Sequence, residues 1–170
     1  MDVWEAIQGR RSIRKYSAWG VESEKINQIL EAGRLAPSAS NSQQWKFIAV
    51  TDADKLGQNM AQACGNQQFV ANAPAVLVVC ATQANRMMTC GQPAETVDAS
   101  IALSFMILEA WELGLGACWL GHFYEDKVKA LLGIPDAARV VAVAPLGYPA
   151  ETPAPRPRKK AEEVISHNRY

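Results

Sequence analysis

Between Val97 and Leu113 the chain carries a helical pattern with almost no polar face. Ile101, Ala102, Leu103, Phe105, Met106, Ile107, Leu108, Ala110 and Trp111 run around it, broken by Ser104, Glu109 and Glu112, and Gly114 ends it. A helix apolar on nearly every side has to be covered on nearly every side. In a chain of 170 residues, either it lies at the centre of the fold or one side packs on a second subunit. After Tyr148 the chain turns Pro-rich (Pro149, Pro153, Pro155, Pro157), which favours an extended arm. Such an arm also needs a surface to lie on, so the balance of the two features favours a homodimer.

The remaining elements alternate unevenly. Val3, Trp4 and Ile7 make a short apolar helix face with Gly9 as its stop, and Ile26, Ile29, Leu30 and Gly33 share one face of a helix opening near Ser23 and closed by Pro37. Trp45–Thr51 reads as a strand, Asp54–Ala63 as a short helix, and Ala75–Ala81 as a strand apolar throughout, hence buried on both faces. A polar loop spans Thr82 to about Thr96. Gly116–Gly121 is expected as a short strand, Glu125–Leu132 as a helix, Arg139–Leu146 as a second buried strand and Lys160–His167 as a last short helix. No repeat or linker divides residues 1–170, which predicts a single domain with 149–170 as its arm.

Composition narrows the function classes. Seventeen Lys and Arg balance seventeen Asp and Glu, which argues against a general nucleic-acid or membrane-surface binder. No apolar run reaches the roughly 20 residues of a membrane span. Cys64, Cys80, Cys90 and Cys118 are widely spaced and lack a C-x-x-C pair, so free thiols in a cytoplasmic protein are expected and no metal site.

Against that neutral background, Arg10-Arg11-Ser12-Ile13-Arg14-Lys15-Tyr16 sets four cations around one hydroxyl. Guanidinium groups grip phosphate through paired N–H donors, and a serine hydroxyl adds another. A cationic helix C-terminus explains the same residues. Three further segments bear on the choice. Ala36-Pro-Ser-Ala-Ser-Asn-Ser-Gln-Gln-Trp45 joins helix to strand through small hydrogen-bonding residues, as a capped turn or as a loop that contacts a polar ring edge. Leu113-Gly-Leu-Gly-Ala-Cys-Trp-Leu-Gly-His122 places its glycines after a helix and into a strand, the reverse of a dinucleotide fingerprint. Leu146-Gly-Tyr-Pro-Ala-Glu151 leads to Arg156-Pro-Arg158-Lys159-Lys160, where Arg156 and Arg158 alternate on an extended stretch and both can face one phosphate, or trail in solvent.

Taken together and in this order, RRSIRKY, APSASNSQQW, LGLGACWLG and LGYPAETPAPRPRK resemble the FMN-dependent nitroreductase family over nearly the whole chain. The resemblance implies an α+β fold, a mixed central sheet flanked by helices, built as an intertwined homodimer with FMN at the subunit interface. It implies a phosphate grip of Arg10, Arg11 and Ser12 closed by Arg156 and Arg158, with Arg14 near the flavin pyrimidine edge as a charge stabiliser. Pro37, Ser38, Ala39 and Asn41 would come from the other subunit, Leu120 and Gly121 would pass the ring near N5, and Asn66 or Gln68 would add a ring contact. It further implies hydride transfer from NADH or NADPH to the flavin and on to a small-molecule acceptor such as a nitroaromatic or quinone, with no nucleic acid or membrane as partner. Gln44 departs from the proline usual there, which suggests a looser loop, and the short Thr82–Thr96 segment suggests an open site. His122 beside Gly121 is either a proton donor or, as the stronger reading, a loop histidine with a structural role or none, while His167 and the thiols read as non-catalytic. Other flavin chemistry on the same scaffold (dehalogenation, or oxidation without nicotinamide) and a non-enzymatic flavin-binding role remain open.

Overall fold

The computed structural model describes residues 1–170. Its elements, in chain order, are α1 (Val3–Gly9), α2 (Ser23–Arg34), β1 (Trp45–Val50), α3 (Gly57–Ala63), α4 (Gln68–Ala71), β2 (Ala75–Ala81), α5 (Ala94–Glu112), β3 (Gly116–Ala117), α6 (Glu125–Leu132), β4 (Arg139–Gly147) and α7 (Ala161–Val164). Four strands form one sheet in the order β1-β2-β4-β3. All three ladders are antiparallel, and the one parallel pairing is an isolated bridge between Ser12 and Ala117. That bridge draws the basic segment onto the sheet margin beside β3.

β2 is buried along its whole length because both faces of the sheet are covered. Val76, Val78 and Cys80 point into a cluster closed by α3, α4 and α6, whereas Ala75, Leu77 and Val79 point into a second cluster with α2 and α5. β4 serves both sides through a register shift opposite Val79 and Cys80, so that Val140 and Val143 face the first cluster while Ala142, Ala144 and Leu146 face the second. α2 lies directly on α5. Their approach is close enough that a Cβ on Gly33 would collide with the Met106 side chain.

α5 starts at Ala94, three residues before the expected Val97, because Pro93 sets an extended N-cap and the helix winds from the next residue. Its inner face is fully covered, but Phe105 remains 42% exposed, and Ile101 and Leu108 at the same helical stripe are half-buried. The α1 apolar face is barer: Val3, Trp4 and Ile7 are 74%, 63% and 49% exposed. Within one chain neither surface has a cover. β3 is shorter than the expected strand, since after Ala117 only single contacts with β4 remain, Cys118 N–H on Pro145 O (3.3 Å) and the bridge of Leu120 with Val143. The last helix is a single turn, Ala161–Val164, on an arm exposed from residue 154 onward.

Candidate functional site

The basic segment and the C-terminal arm enclose a groove of about 840 Å³. Arg10, Arg11, Ser12, Arg14, Arg156 and Arg158 line it, with Glu151 as the single carboxylate. None of the five arginines takes part in an ion pair. Glu151 forms no ion pair with them; its Oε1 instead accepts the backbone N–H groups of Arg14 (2.6 Å) and Lys15 (3.1 Å), which leaves one carboxylate against five guanidinium groups. Like charges gathered without counter-ions make a strong anion receptor, and guanidinium forks suit the oxygens of a phosphate.

Three devices hold this segment. Ile13, 1% exposed, sits so close to Gly116 that a Cβ there would collide with its side chain. The Tyr16 hydroxyl donates to the carbonyls of Ile13 (2.6 Å) and Pro145 (3.2 Å), and burial raises its pKa far above the ordinary phenol. The arm is pinned alongside by Ala150 N–H on Lys15 O (2.9 Å), Ser17 N–H on Tyr148 O (2.9 Å) and the Glu151 bonds. Arg11 divides its loyalties. Its Nη1 turns back on the C-terminus of α1 and donates to the carbonyls of Gln8, Gly9 and Arg10 at 2.7, 2.8 and 2.9 Å. The helix-end reading therefore holds for Arg11, while Arg10, Arg14, Arg156 and Arg158 make no such bonds. The Arg14 guanidinium lies 5.8 Å from the centre of the Phe69 ring.

The second predicted group lies apart. Pro37, Ser38, Ala39 and Asn41 belong to the connection between α2 and β1, and none of them lines the arginine groove. Ser40, Asn41 and Gln43 take left-handed backbone angles, with φ of 54°, 52° and 51°. Each such non-glycine residue costs on the order of 1 kcal/mol, so the surroundings have to impose the shape. Asp98, the one buried charged residue, accepts the Ala39 N–H at 2.9 Å, and Gln43 N–H donates to Ser38 Oγ at 3.0 Å. Gln44 does not loosen the loop: its side chain donates to Gln83 Oε1 at 2.7 Å, and its carbonyl accepts Thr82 N–H at 3.1 Å.

The third group follows β3. Leu120 is tied to Val143 through both its N–H (2.8 Å) and its C=O (3.4 Å). Gly121 N–H donates to no group of the chain, and a Cβ built there would meet nothing within 4 Å. Of the two residues, Gly121 alone offers a free donor to an approaching ring. His122 is exposed and packs on Gly65 and, edge-on, on Tyr124 with ring centres 6.4 Å apart. Neighbouring Asn66 and Gln68 are both exposed, whereas Gln67 donates to the carbonyls of Cys64 (2.8 Å) and His122 (3.0 Å) and stitches the two turns together. Burial pushes the Cys64 and Cys80 thiols up to about 11 and raises that of Cys118 as well, so all three stay protonated at neutral pH.

The Nitroreductase family model matches residues 7–86 and 57–148. The chain belongs to the nitroreductase family. A relative from Methanothermobacter thermautotrophicus, provisionally named NADH dehydrogenase/NAD(P)H nitroreductase, is 39% identical over 166 residues, covering 92% of this chain and 82% of its own. The crystal structure of a nitroreductase family protein from Clostridium novyi NT superimposes with a TM-score of 0.82 at 34% identity, over 89% of this chain and 87% of that one. NADPH:FMN oxidoreductase from Vibrio harveyi, solved in complex with NAD+, gives a TM-score of 0.86 at 32% identity, over 98% of this chain and 77% of its own.

In this nitroreductase-family chain the predicted residues therefore fall into three sets, not one cavity. The residues that sequence reasoning missed are the ones that hold those sets in place: Glu151, Gln67, Asp98 and Arg86, whose guanidinium donates to Ala39 O and Ser40 Oγ. Asp98 left a faint signal, as one of two acids, with Glu95, near the start of a largely apolar helix.

Proposed function

We propose that this protein is an FMN-dependent oxidoreductase that passes hydride from NADH or NADPH to a small acceptor such as a nitroaromatic or a quinone. One observation carries the reading: five arginines without ion pairs line a single groove, in a chain of a family that includes an NADPH:FMN oxidoreductase. The residues present fit the cofactor, because the groove supplies donors for a phosphate while Gly121 supplies an exposed N–H for a ring edge. When bound, FMN supplies a ring that accepts hydride and returns electrons to the acceptor.

Arg10, Ser12, Arg156 and Arg158 hold the phosphate, with Arg11 giving what its helix-capping bonds leave free. Arg14 keeps positive charge near the pyrimidine edge, where it stabilises anionic charge. Ser38, Ala39 and Asn41, with Pro37 shaping their entry, meet the same cofactor from a partner subunit. The bare α1 face and the Phe105 stripe of α5 support that homodimer, since both are apolar and uncovered in one chain. On this reading residues 1–170 act as one unit, with 149–170 as an arm on the partner. Four free cysteines fit a cytoplasmic setting, and no helix is long and apolar enough to cross a membrane.

An anaerobic absorption spectrum of the purified protein, followed by NADH or NADPH, tests the reading. A yellow protein that bleaches with either nucleotide is expected. A yellow protein that neither nucleotide bleaches moves the function to other flavin chemistry, and a colourless one that cannot be reconstituted with FMN overturns the proposal.

A further inference from the structure

The connection from β2 to α5 is too short for a long lid, and its bonds point to a different task. Residues 82–93 close on themselves, with Met88 N–H on Gln92 O at 2.9 Å, Gly91 N–H on Met88 O at 2.8 Å and a bridge between Met87 and Pro93. The base of this turn is fastened to α5 by Asn85 N–H on Glu95 Oε1 (2.9 Å) and Ala94 N–H on Arg86 O (2.8 Å). From there Arg86 crosses to the Ser38–Gln43 loop. Its Nη1 donates to Ala39 O and its Nη2 to Ser40 Oγ, both at 3.1 Å.

Arg86 enters no ion pair, so the loop carbonyl and hydroxyl are its hydrogen-bond partners within the chain. Asp98 holds the same residue from the other side through the Ala39 N–H at 2.9 Å. Ala39 is thus gripped at both its N–H and its C=O, from two different elements, directly before the left-handed Ser40 and Asn41. A planar guanidinium reaches two acceptors at once, which an ammonium does not match.

We infer that Arg86 is a positioning residue that, with Asp98, clamps the Ser38–Gln43 loop in the shape that meets the flavin. The inference rests on the proposed function, in which that loop faces FMN. Arg86 touches no reacting atom; it acts through Ala39 and Ser40.

Hydrogen exchange on the full chain, with and without added FMN, tests the clamp, together with FMN affinity and thermal unfolding of the same samples. Arg86→Ala is expected to raise exchange at residues 38–43 about tenfold and to weaken FMN by about the same factor, for the loss of two hydrogen bonds. Its melting temperature should stay within about 2 °C of the wild type, since no core contact is lost. Arg86→Lys should restore part of both effects, and Ser40→Ala, which removes one acceptor, should reproduce about a threefold share. An Arg86→Ala protein that exchanges and binds FMN like the wild type overturns the clamp. Faster exchange with unchanged FMN affinity overturns its role toward the cofactor. A wild-type protein that takes up no FMN overturns the functional reading and that role together, while the exchange data still decide whether Arg86 holds the loop.

Discussion

The arginine groove and the Ser38–Gln43 loop are built by opposite means. In the groove, charged side chains sit on a segment and an arm that main-chain pairings hold, and the five arginines have no ionic partner. In the loop, the backbone itself is the device: three left-handed residues kept in place by Asp98 and Arg86. The groove is therefore a set of charges left without partners inside the chain, whereas the protein itself completes the loop. Charge of the first kind is weakened by salt, and shape of the second kind is not.

The largest effect should come from removing the support beneath the groove. Ile13→Ala deletes a side chain that is 1% exposed and packed against Gly116, and should lower unfolding free energy by about 2–5 kcal/mol in urea titrations. A loss below about 1 kcal/mol would mean that the basic segment is not anchored by the core. Arg10→Ala or Arg158→Ala should leave stability nearly unchanged and weaken FMN roughly ten- to hundredfold. That deficit should shrink as salt rises, because added salt already screens the contact in the wild type. Equal FMN affinity in both variants would remove the phosphate assignment. Arg14→Ala should lower the flavin midpoint potential while largely keeping the cofactor, and an unchanged potential in a spectroelectrochemical titration would free Arg14 from that role.

The two regions also differ in how far the sequence revealed them. The Ala75–Ala81 strand was legible to the residue, because an unbroken apolar run between Pro74 and Thr82 has to be buried on both faces. The groove was legible in part: clustered arginines on a neutral chain stand out, but the arm's own pattern left Arg156 and Arg158 free to trail in solvent, and only the family resemblance put them beside Arg10 and Arg14, where the structure has them. The loop was legible only as a polar turn. Its shape depends on Arg86, 47 residues from Ala39 in sequence, and on Asp98, 59 residues away. Glu151 reaches across 137 residues to Arg14. Periodicity and local spacing carry no trace of pairs so distant. Arg11 was legible only in part, because a cation after a helix serves the carbonyls of that helix as readily as a ligand, and here Nη1 turns to the helix while the residue still lines the groove.

The smallest effect separates the regions by pH. The Glu95 carboxyl is held below its ordinary value of 4.5, first by its own backbone N–H and then by that of Asn85 at the base of the Arg86 turn. In the unfolded chain it titrates at the ordinary value, so on acidification the unfolded state takes up the proton first. Its contribution to stability is thus complete above pH 4.5 and is lost as pH falls through the lower folded value. Glu95→Gln should narrow the difference: wild type is slightly more stable at neutral pH, and the gap in urea midpoint closes below about pH 4.5. A gap that stays constant across that range would show that Glu95 does not act through its charge. The groove answers to a different titration, because its arginines keep their charge while a phosphate monoester loses its second one near pH 6. FMN affinity should therefore begin to fall near pH 6, with exchange at residues 38–43 still slow, and the loop should loosen only in the lower window. Simultaneous loss of both would mean that groove and loop are one cooperative unit, not two independently built halves of a site.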